Sequence, residues 1–501
     1  MIFRDWLKEL DYTLLQGSVD VETEDVIYDS RKAAPGKVFV AMKGIRVDGH
    51  SFIPQVLKAG VRVLVTERPV EEELKNSGLS EDELKQVTVV MVEEGRHALA
   101  LLSAARFGYP SRKLTMIGVT GTKGKTTTTH MIRAILLAAG KKVGMIGTTG
   151  TVIGYVVTPT LNTTPESYEL HQAFAQMVEA GCEYAVMEVS SQGIKMHRTD
   201  GLYFNYAIFT NISPDHIGPG EHADFEEYLY YKTRLLNMCG IGLVNKDDEH
   251  APQIIKAANC ELYTYSEESK EADFVASDIR YVSQPDFVGT EFHISGKYDM
   301  EVRLGIPGLF NVVNALAAVS VCSFLGLDQA RISHALENIR VNGRMEIVYT
   351  SERCTVLVDY AHNAVSMESL LSTLRDYKPK RLVCVFGCGG NRSKDRRYSM
   401  GEIGGKMADL SIITADNSRY EKVEDIIADI RGSIEKTGGK FIEIPDRREA
   451  IRYSILHAQP GDMVAVIGKG HEDYQEINGV RHHFLDREVI EETVKELGEK
   501  A

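Results

Sequence analysis

The segment GVTGTKGKTTTT, Gly118 to Thr129, holds the residues with the plainest chemical purpose. Glycines let a backbone approach a phosphate group and turn its N–H groups inward, and a helix starting there adds the positive end of its dipole. Lys125 would reach the terminal phosphates of a nucleoside triphosphate, and Thr126 would offer its hydroxyl to Mg2+. Thr120, Gly121, Thr122, Lys123, Gly124, Lys125, Thr126 and Thr127 therefore form a candidate ATP cradle. Val119 breaks the usual spacing of this loop, and the alternative is a glycine-rich turn that holds no nucleotide. Further along, Glu188 ends the apolar run YAVMEVSS, and His216 follows YAIFTNI in NISPDH. Parallel strands would put both on the same edge as the loop, where a hard cation could use them. Taken singly, Glu188 could be a solvated cap and His216 a loop histidine. Lys232, in YLYYKTRLL, reads by default as a surface lysine laid over aromatic neighbours.

Positioning these groups needs strands that end together. LTMIGVTG, KKVGMIG, YAVMEVSS and YAIFTNI are short apolar runs separated by helical patterns such as TTTTHMIRAILLAAG, which is how buried parallel strands and their crossovers look. TVLVDYA, RLVCVFG, LSIITADN and MVAVIGKG repeat the arrangement nearer the C-terminus. A turn-rich stretch, DSRKAAPGKVFVAMKG, marks an earlier block that the helical HALALLSAARF leads out of, and the helix in GLFNVVNALAAVSVCSFLG closes the middle one. The expectation is an α/β protein of three domains: residues 1–105, a central parallel sheet with its phosphate loop over 106–340, and a further parallel α/β unit over 341–501.

A chain of 501 residues is too long for one core, and its 43% apolar and 26% charged residues are those of a globular protein. The net charge of -14 argues against a nucleic-acid or membrane-surface partner, both of which favour a basic footprint. No apolar run approaches the roughly 20 residues that span a bilayer. MIFRDWLKEL reads as an amphipathic helix and not a signal peptide, and the seven scattered cysteines lack a Cys-x-x-Cys pair. Incidental thiols in a reducing cytosol, and hence a cytoplasmic location, are expected.

With these residues in hand, the chain resembles the Mur ligase family over nearly its full length. GTKGKT, EVSS, the Asp-His of SPDH, GLFNVVNALAA, GRME, DYAH and GKGHEDYQ fall in the family's order, and DSRKAAPGKVFVA, LNTTPE, GCGGNRSKDRR, DNSR and FLDRE point to its tripeptide-forming members. The resemblance implies an N-terminal UDP-binding domain, a central ATPase domain and a C-terminal Rossmann-like domain. It implies that Thr126 and Glu188 hold one Mg2+ and His216 a second, with Lys232 carrying a carboxylate as a carbamate formed from CO2. An unmodified ammonium would repel the metal. Asn311, Arg344 and Asp359 would contact ATP. Ser30, Asn162, Thr163, Thr164, Ser190 and Arg198 would bind a UDP-muramoyl-peptide, and Arg397, Asp416, Asn417, Arg419, Gly468 and Glu472 the incoming amino acid. The implied activity is ATP-dependent ligation of a diamino acid, diaminopimelate, to UDP-muramoyl-Ala-Glu through an acyl phosphate, by a monomer with small-molecule partners. Lys125, Lys232 and His216 are the catalytic candidates.

The chain departs from the family pattern at Pro214, where an arginine is usual, at Gln192 and Met196, and at Ser418, where DNSR has lost a proline. These leave the phosphate and metal groups in place and bear on which amino acid is added, with lysine the alternative. A folylpolyglutamate or cyanophycin-type ligase would share the central and C-terminal architecture but not the DSRKAAPG block. A P-loop switch or transport ATPase would leave DNSR and GKGHEDYQ without a purpose.

Overall fold

The computed structural model describes residues 1–44 and 47–498. The chain divides into two compact units, one made of Met1–Tyr265 with Ser320–Cys322 and the other of Ser266–Val319 with Ser323–Ala501.

The first unit contains two sheets. Strands Thr13–Gln16, Thr88–Met91, Val63–Thr66, Lys37–Val40 and Asp25–Ile27 lie side by side in that order, antiparallel only at the first pair. Val38, Val40, Val65 and Val90 point to one face, against Phe3, Trp6, Leu99 and Leu102, while Phe39 and Leu64 pack on the other against Ile53, Val56 and Leu57. A sheet covered on both faces has no solvated side, so its strands read as continuous apolar runs. The first ten residues form a helix only over Phe3–Trp6, with Leu7 and Leu10 also buried. The amphipathic reading of this segment is thus right about burial and too long about the helix.

The second sheet of this unit carries six parallel strands, ordered Val143–Gly147, Tyr184–Glu188, Thr115–Thr120, Phe204–Phe209, Cys239–Asn245 and Glu261–Ser266. Its register aligns the strand ends: Glu188 pairs with Val119, and Phe209 with Thr120. The phosphate loop, the Glu188 carboxylate and the segment after Phe209 therefore leave the sheet at one edge. The antiparallel strands Gly150–Ile153 and Val156–Thr158 extend this sheet beyond the parallel pattern expected from sequence.

The second unit begins with an antiparallel meander, Phe274–Gln284, Phe287–Gly296 and Met300–Leu304. Six further strands come next, in the order Glu346–Thr350, Cys354–Asp359, Asp462–Ile467, Arg381–Phe386, Leu410–Ile413 and Phe441–Glu443, all parallel except the first. Asp359 pairs with Ile467, and Phe386 with Ile413, so the loops that carry Asp359, Gly468 and Asp416 share an edge. Behind that edge Arg447, fully buried, is held 2.7 Å from Asp486 and donates to the carbonyls of Ala415 and Ile467 at 3.2 and 3.0 Å. The seven cysteines are all free thiols: Cys182 and Cys260 are partly exposed, and Cys239, Cys322, Cys354, Cys384 and Cys388 are buried. Among the described residues no helix is long and apolar enough to cross a membrane.

Candidate active site

The strand Thr115–Thr120 runs between two parallel neighbours and delivers the chain to Gly121. Gly121 has φ +143°, and a Cβ there would lie 1.9 Å from Thr210 Oγ1, so only glycine fits. The helix Lys125–Ala138 starts at once after Gly124, with its first-turn N–H groups at the loop. The loop is braced from the neighbouring strand end. Thr122 N and Lys123 N donate to Asn211 O and Oδ1, both at 2.9 Å, and Thr210 Oγ1 donates to Lys123 O at 2.7 Å. Thr122 Oγ1 lies 3.1 Å from the Tyr228 hydroxyl.

Two lysines converge on this loop. Lys125 Nζ donates to Gly121 O at 2.7 Å and to Thr122 O at 3.1 Å, and Lys232 Nζ donates to the same Gly121 carbonyl at 2.8 Å. The helix Phe225–Thr233 buries Lys232 to 2% exposure, so the surface reading of this residue does not hold. Its ammonium lies 4.7 Å from the Tyr228 ring. Burial, then the charge of Lys125, pushes the Lys232 amine well below the ordinary lysine value, with Asp215 opposing. The amine therefore spends a larger share of its time neutral, which is its nucleophilic form.

Beside the loop, Thr126 Oγ1 lies 3.0 Å from both oxygens of Glu188, which also accept from Thr148 N at 2.9 Å and from the Thr148 hydroxyl at 3.2 Å. Glu188 is 1% exposed. A Cβ at Gly147 would come within 2.3 Å of its Oε1, so this glycine leaves the carboxylate its space. A buried carboxylate whose partners are hydroxyls and an amide offers oxygen ligands that fit a hard cation shared with Thr126. His216 stands more openly, at 58% exposure, with φ +54°, its Nδ1 3.0 Å from Glu221 and its ring 6.2 Å from that of Tyr228.

The residues expected to bind the sugar-peptide adjoin Glu188. Thr164 Oγ1 donates to Glu188 O at 3.0 Å and accepts from Ser190 N at 3.0 Å; Thr163 Oγ1 lies 3.1 Å from Thr148 Oγ1. Arg198 donates to Thr164 O at 3.0 Å and to Glu166 at 2.9 Å. Asn162 is exposed on the same segment. Ser30 opens the 3-10 turn Ser30–Lys32, just past Tyr28, whose hydroxyl donates to Glu169 on the helix that Glu166 caps.

In the second unit, Asn311 is buried and donates to Pro307 O at 2.7 Å. Asp359 accepts from Met345 N and Ala361 N, both at 2.8 Å, and Arg344 lies 4.7 Å from the Tyr360 ring. Burial raises the Asp359 carboxyl, against the opposing pull of Arg344 and the two amides. The amino-acid candidates are mostly adjacent. Gly468 N donates to Asp359 O at 3.2 Å. Asn417 Nδ2 donates to Glu472 at 3.0 Å, and buried Lys469 reaches both Asn417 and Glu472 at 3.3 Å. Arg419, at φ +52°, donates to Gly390 O at 2.7 Å and lies 3.4 Å from Glu476. Asp416 is buried and adjoins Asn417. Arg397 differs: 1% exposed, it donates to both oxygens of Glu421 at 2.8 Å and to Asp429 at 2.9 Å.

Sequence reasoning named none of Thr210, Asn211, Tyr228, Thr148, Lys469 or Glu476. Tyr228 had a usable signal, since it precedes Lys232 by one helical turn and so shares its face. Lys469 stands inside GKGHEDYQ, between two glycines at a strand end.

The chain matches three family models in succession: the Mur ligase family catalytic domain over residues 23–107, the Mur ligase middle domain over 119–322, and the Mur ligase glutamate ligase domain over 343–470. It belongs to the Mur ligase family, a class of ATP-dependent ligases. Among its relatives, the UDP-N-acetylmuramoyl-L-alanyl-D-glutamate–2,6-diaminopimelate ligase of Caldanaerobacter subterraneus subsp. tengcongensis is 39% identical over 498 residues, covering 98% of each chain. The enzyme of the same name from Clostridium perfringens is 38% identical, covering 98% of this chain and 99% of the relative. A solved structure of a ligase with that name superposes with a TM-score of 0.72 at 30% identity, covering 95% of this chain and 96% of the other. A folylpolyglutamate synthase from Thermotoga maritima shares the fold, with a TM-score of 0.58 at 18% identity over 74% of this chain and 89% of the other.

Proposed function

We propose that this chain adds meso-2,6-diaminopimelate to UDP-N-acetylmuramoyl-L-Ala-D-Glu, with ATP as the activating substrate. The observation that carries the chemistry is the convergence of Lys125 and Lys232 on the Gly121 carbonyl, beside the buried Thr126–Glu188 pair. A carboxylate oxygen of the peptide attacks the γ-phosphorus, ADP leaves, and an acyl phosphate forms. The amine then attacks the acyl carbon, a tetrahedral intermediate collapses, and phosphate leaves as the nitrogen gives up its proton. Lys125 swings from the loop carbonyls to the transferring phosphoryl oxygens, where it offsets developing charge. Mg2+, when bound, would supply charge neutralisation at the phosphates. Thr126 and Glu188 would hold one such ion, and His216 and Lys232 would hold the second, Lys232 as a carbamate. Its buried, neutral-leaning amine attacks CO2 and releases a proton, which turns a repelling cation into an oxygen donor.

Residues 1–105 take the uridine end, residues 106–340 the nucleotide and residues 341–501 the amino acid. Ser30, Asn162, Thr163, Thr164, Ser190 and Arg198 bind the UDP-muramoyl-peptide. Asn311, Arg344 and Asp359 serve ATP. Asp416, Asn417, Gly468 and Glu472 receive the ammonium and carboxylate of the diamino acid, and Arg419 grips the carboxylate at its far end, which lysine lacks. The enzyme acts in the cytoplasm, as a monomer.

Ligation assays with UDP-N-acetylmuramoyl-L-Ala-D-Glu and a panel of amino acids, read by product mass, test the reading. Diaminopimelate should dominate at equal concentrations; a preference for lysine refutes the amino-acid assignment. Lys232→Ala should be inactive and partly recover with a short carboxylic acid, whereas full activity without additive removes the carbamate.

A further inference from the structure

Away from the phosphate loop, three ligating atoms meet where the two sheets of the first unit join. His97 lies on the helix Gly95–Arg106, while His197 and Asp200 lie between the short helix Ser191–Lys195 and the strand Phe204–Phe209. Nδ1 of His97 and Nδ1 of His197 are 2.6 and 2.8 Å from the same oxygen, Asp200 Oδ2, and the donor atoms of all three residues lie within 4.8 Å of one another. The rings stand edge to face, 6.3 Å apart at 78°, so their nitrogens converge instead of stacking. His197 holds φ +55°, a left-handed backbone that costs free energy and turns its side chain into the cluster. The side chains of His97, His197 and Asp200 are 45%, 39% and 23% exposed, enough for an ion to enter and for water to complete its shell.

We propose that His97, His197 and Asp200 form a metal site, separate from the ATP-linked Mg2+, that takes a late first-row divalent cation such as Zn2+. Two imidazoles and a carboxylate are the donor set such ions favour, whereas Mg2+ prefers oxygen alone. The bonds of about 2.0 Å at a tetrahedral zinc put its ligands about 3.3 Å apart, so each His–Asp200 pair opens by roughly 0.5 to 0.7 Å as the metal replaces the shared protons. Glu94, which caps the helix by accepting from His97 N at 2.7 Å, adds negative charge facing both rings, and Arg234 opposes it at His197. Arg198 lies between two of the ligands and bonds Thr164 O and Glu166, so an ion here would fix the loop that aims it. The three ligands make this site whether or not the chain acts on diaminopimelate.

The test uses the full chain without a histidine tag, stripped with a chelator and held in excess Mg2+ to satisfy the oxygen sites. Co2+ is titrated in, and its visible absorption bands report nitrogen ligation and stoichiometry. One Co2+ per chain, displaced by Zn2+, is expected, with His97→Gln and His197→Gln each weakening binding by at least about tenfold. His216→Gln should leave the bands in place. Circular dichroism and melting temperature confirm that each variant folds, and Asp200→Asn provides a third, independent ligand change. Absence of the bands in the folded wild type, or bands that persist in the His97→Gln/His197→Gln double variant, overturns the site.

Discussion

Lys125 rests its ammonium group on the carbonyls of Gly121 and Thr122, whereas in the second unit Arg397, on the helix Asp395–Met407, and Arg419 lie against Glu421, Asp429 and Glu476. On the proposed reading, the two regions hold cations for different guests. A neutral carbonyl gives up a lysine readily when a triphosphate arrives, because the incoming charge makes the stronger bond. Carboxylates surrender an arginine only to another carboxylate set in the right geometry. The first arrangement favours tight charge capture, and the second favours discrimination. Within the second region the arginines also differ from each other: Arg397 is sealed between two carboxylates, while Arg419 keeps one carbonyl and one longer carboxylate contact.

Removing the first kind of cation should do the most damage. Lys125→Ala is expected to lower kcat by about a thousandfold, roughly 4 kcal/mol of transition-state stabilisation, with the fold intact. Near-normal turnover would break the contrast at its root. Acid should separate the regions next. His171, 1% exposed in the first unit, is pushed down to about 4 by burial, and among the described residues neither ring nitrogen has a hydrogen-bond partner. The unfolded chain takes up a proton below about 6.5 that the folded chain refuses until about 4, so stability falls as pH drops through that window. The loss is roughly 3 kcal/mol by 1.36 kcal/mol per unit. Urea melts at pH 7 and 4.5 should show this drop, and His171→Leu should remove most of it; an unchanged pH slope would rule the residue out.

The smallest effect sharpens the contrast inside the second region. Arg419→Ala should raise the KM for diaminopimelate about a hundredfold while ATP binding and melting temperature stay put. Arg397→Ala should instead destabilise the second unit by about 2 kcal/mol, since it leaves two carboxylates facing each other. If the two variants behave alike, the division into a sealed and a receptive arginine fails.

The parallel strands were legible because sheets covered on both faces demand unbroken apolar runs, and a run such as Thr115–Thr120 is hard to mistake when a glycine-rich loop comes straight after it. The sheet register could not be read, and it is register that brings Glu188 level with Val119. The meander from Phe274 to Leu304 went unassigned: its first strand is buried at Phe274, Val275 and Ala276 and then largely exposed, so it gives no continuous pattern. Lys232 shows the limit for single residues. Its type and neighbours suit a surface helix, and only the packing of Phe225–Thr233 over the phosphate loop decides that it is buried. Arg397 shows the reverse, since a motif can place an arginine near a ligand loop without revealing that Glu421 and Asp429 already surround it.

The free cysteines give the molecule built-in clocks. Burial lifts the Cys354 thiol to about 11 and the Cys388 thiol to about 12, and pushes Cys322 and Cys384 higher still. A thiol in that state is almost inert to an alkylating reagent until its surroundings open. Cys239 and Cys322 belong to the first unit, and Cys354, Cys384 and Cys388 to the second. A timed pulse of reagent followed by peptide mass mapping would therefore record the opening of each unit separately, in the natural sequence and without a single introduced label.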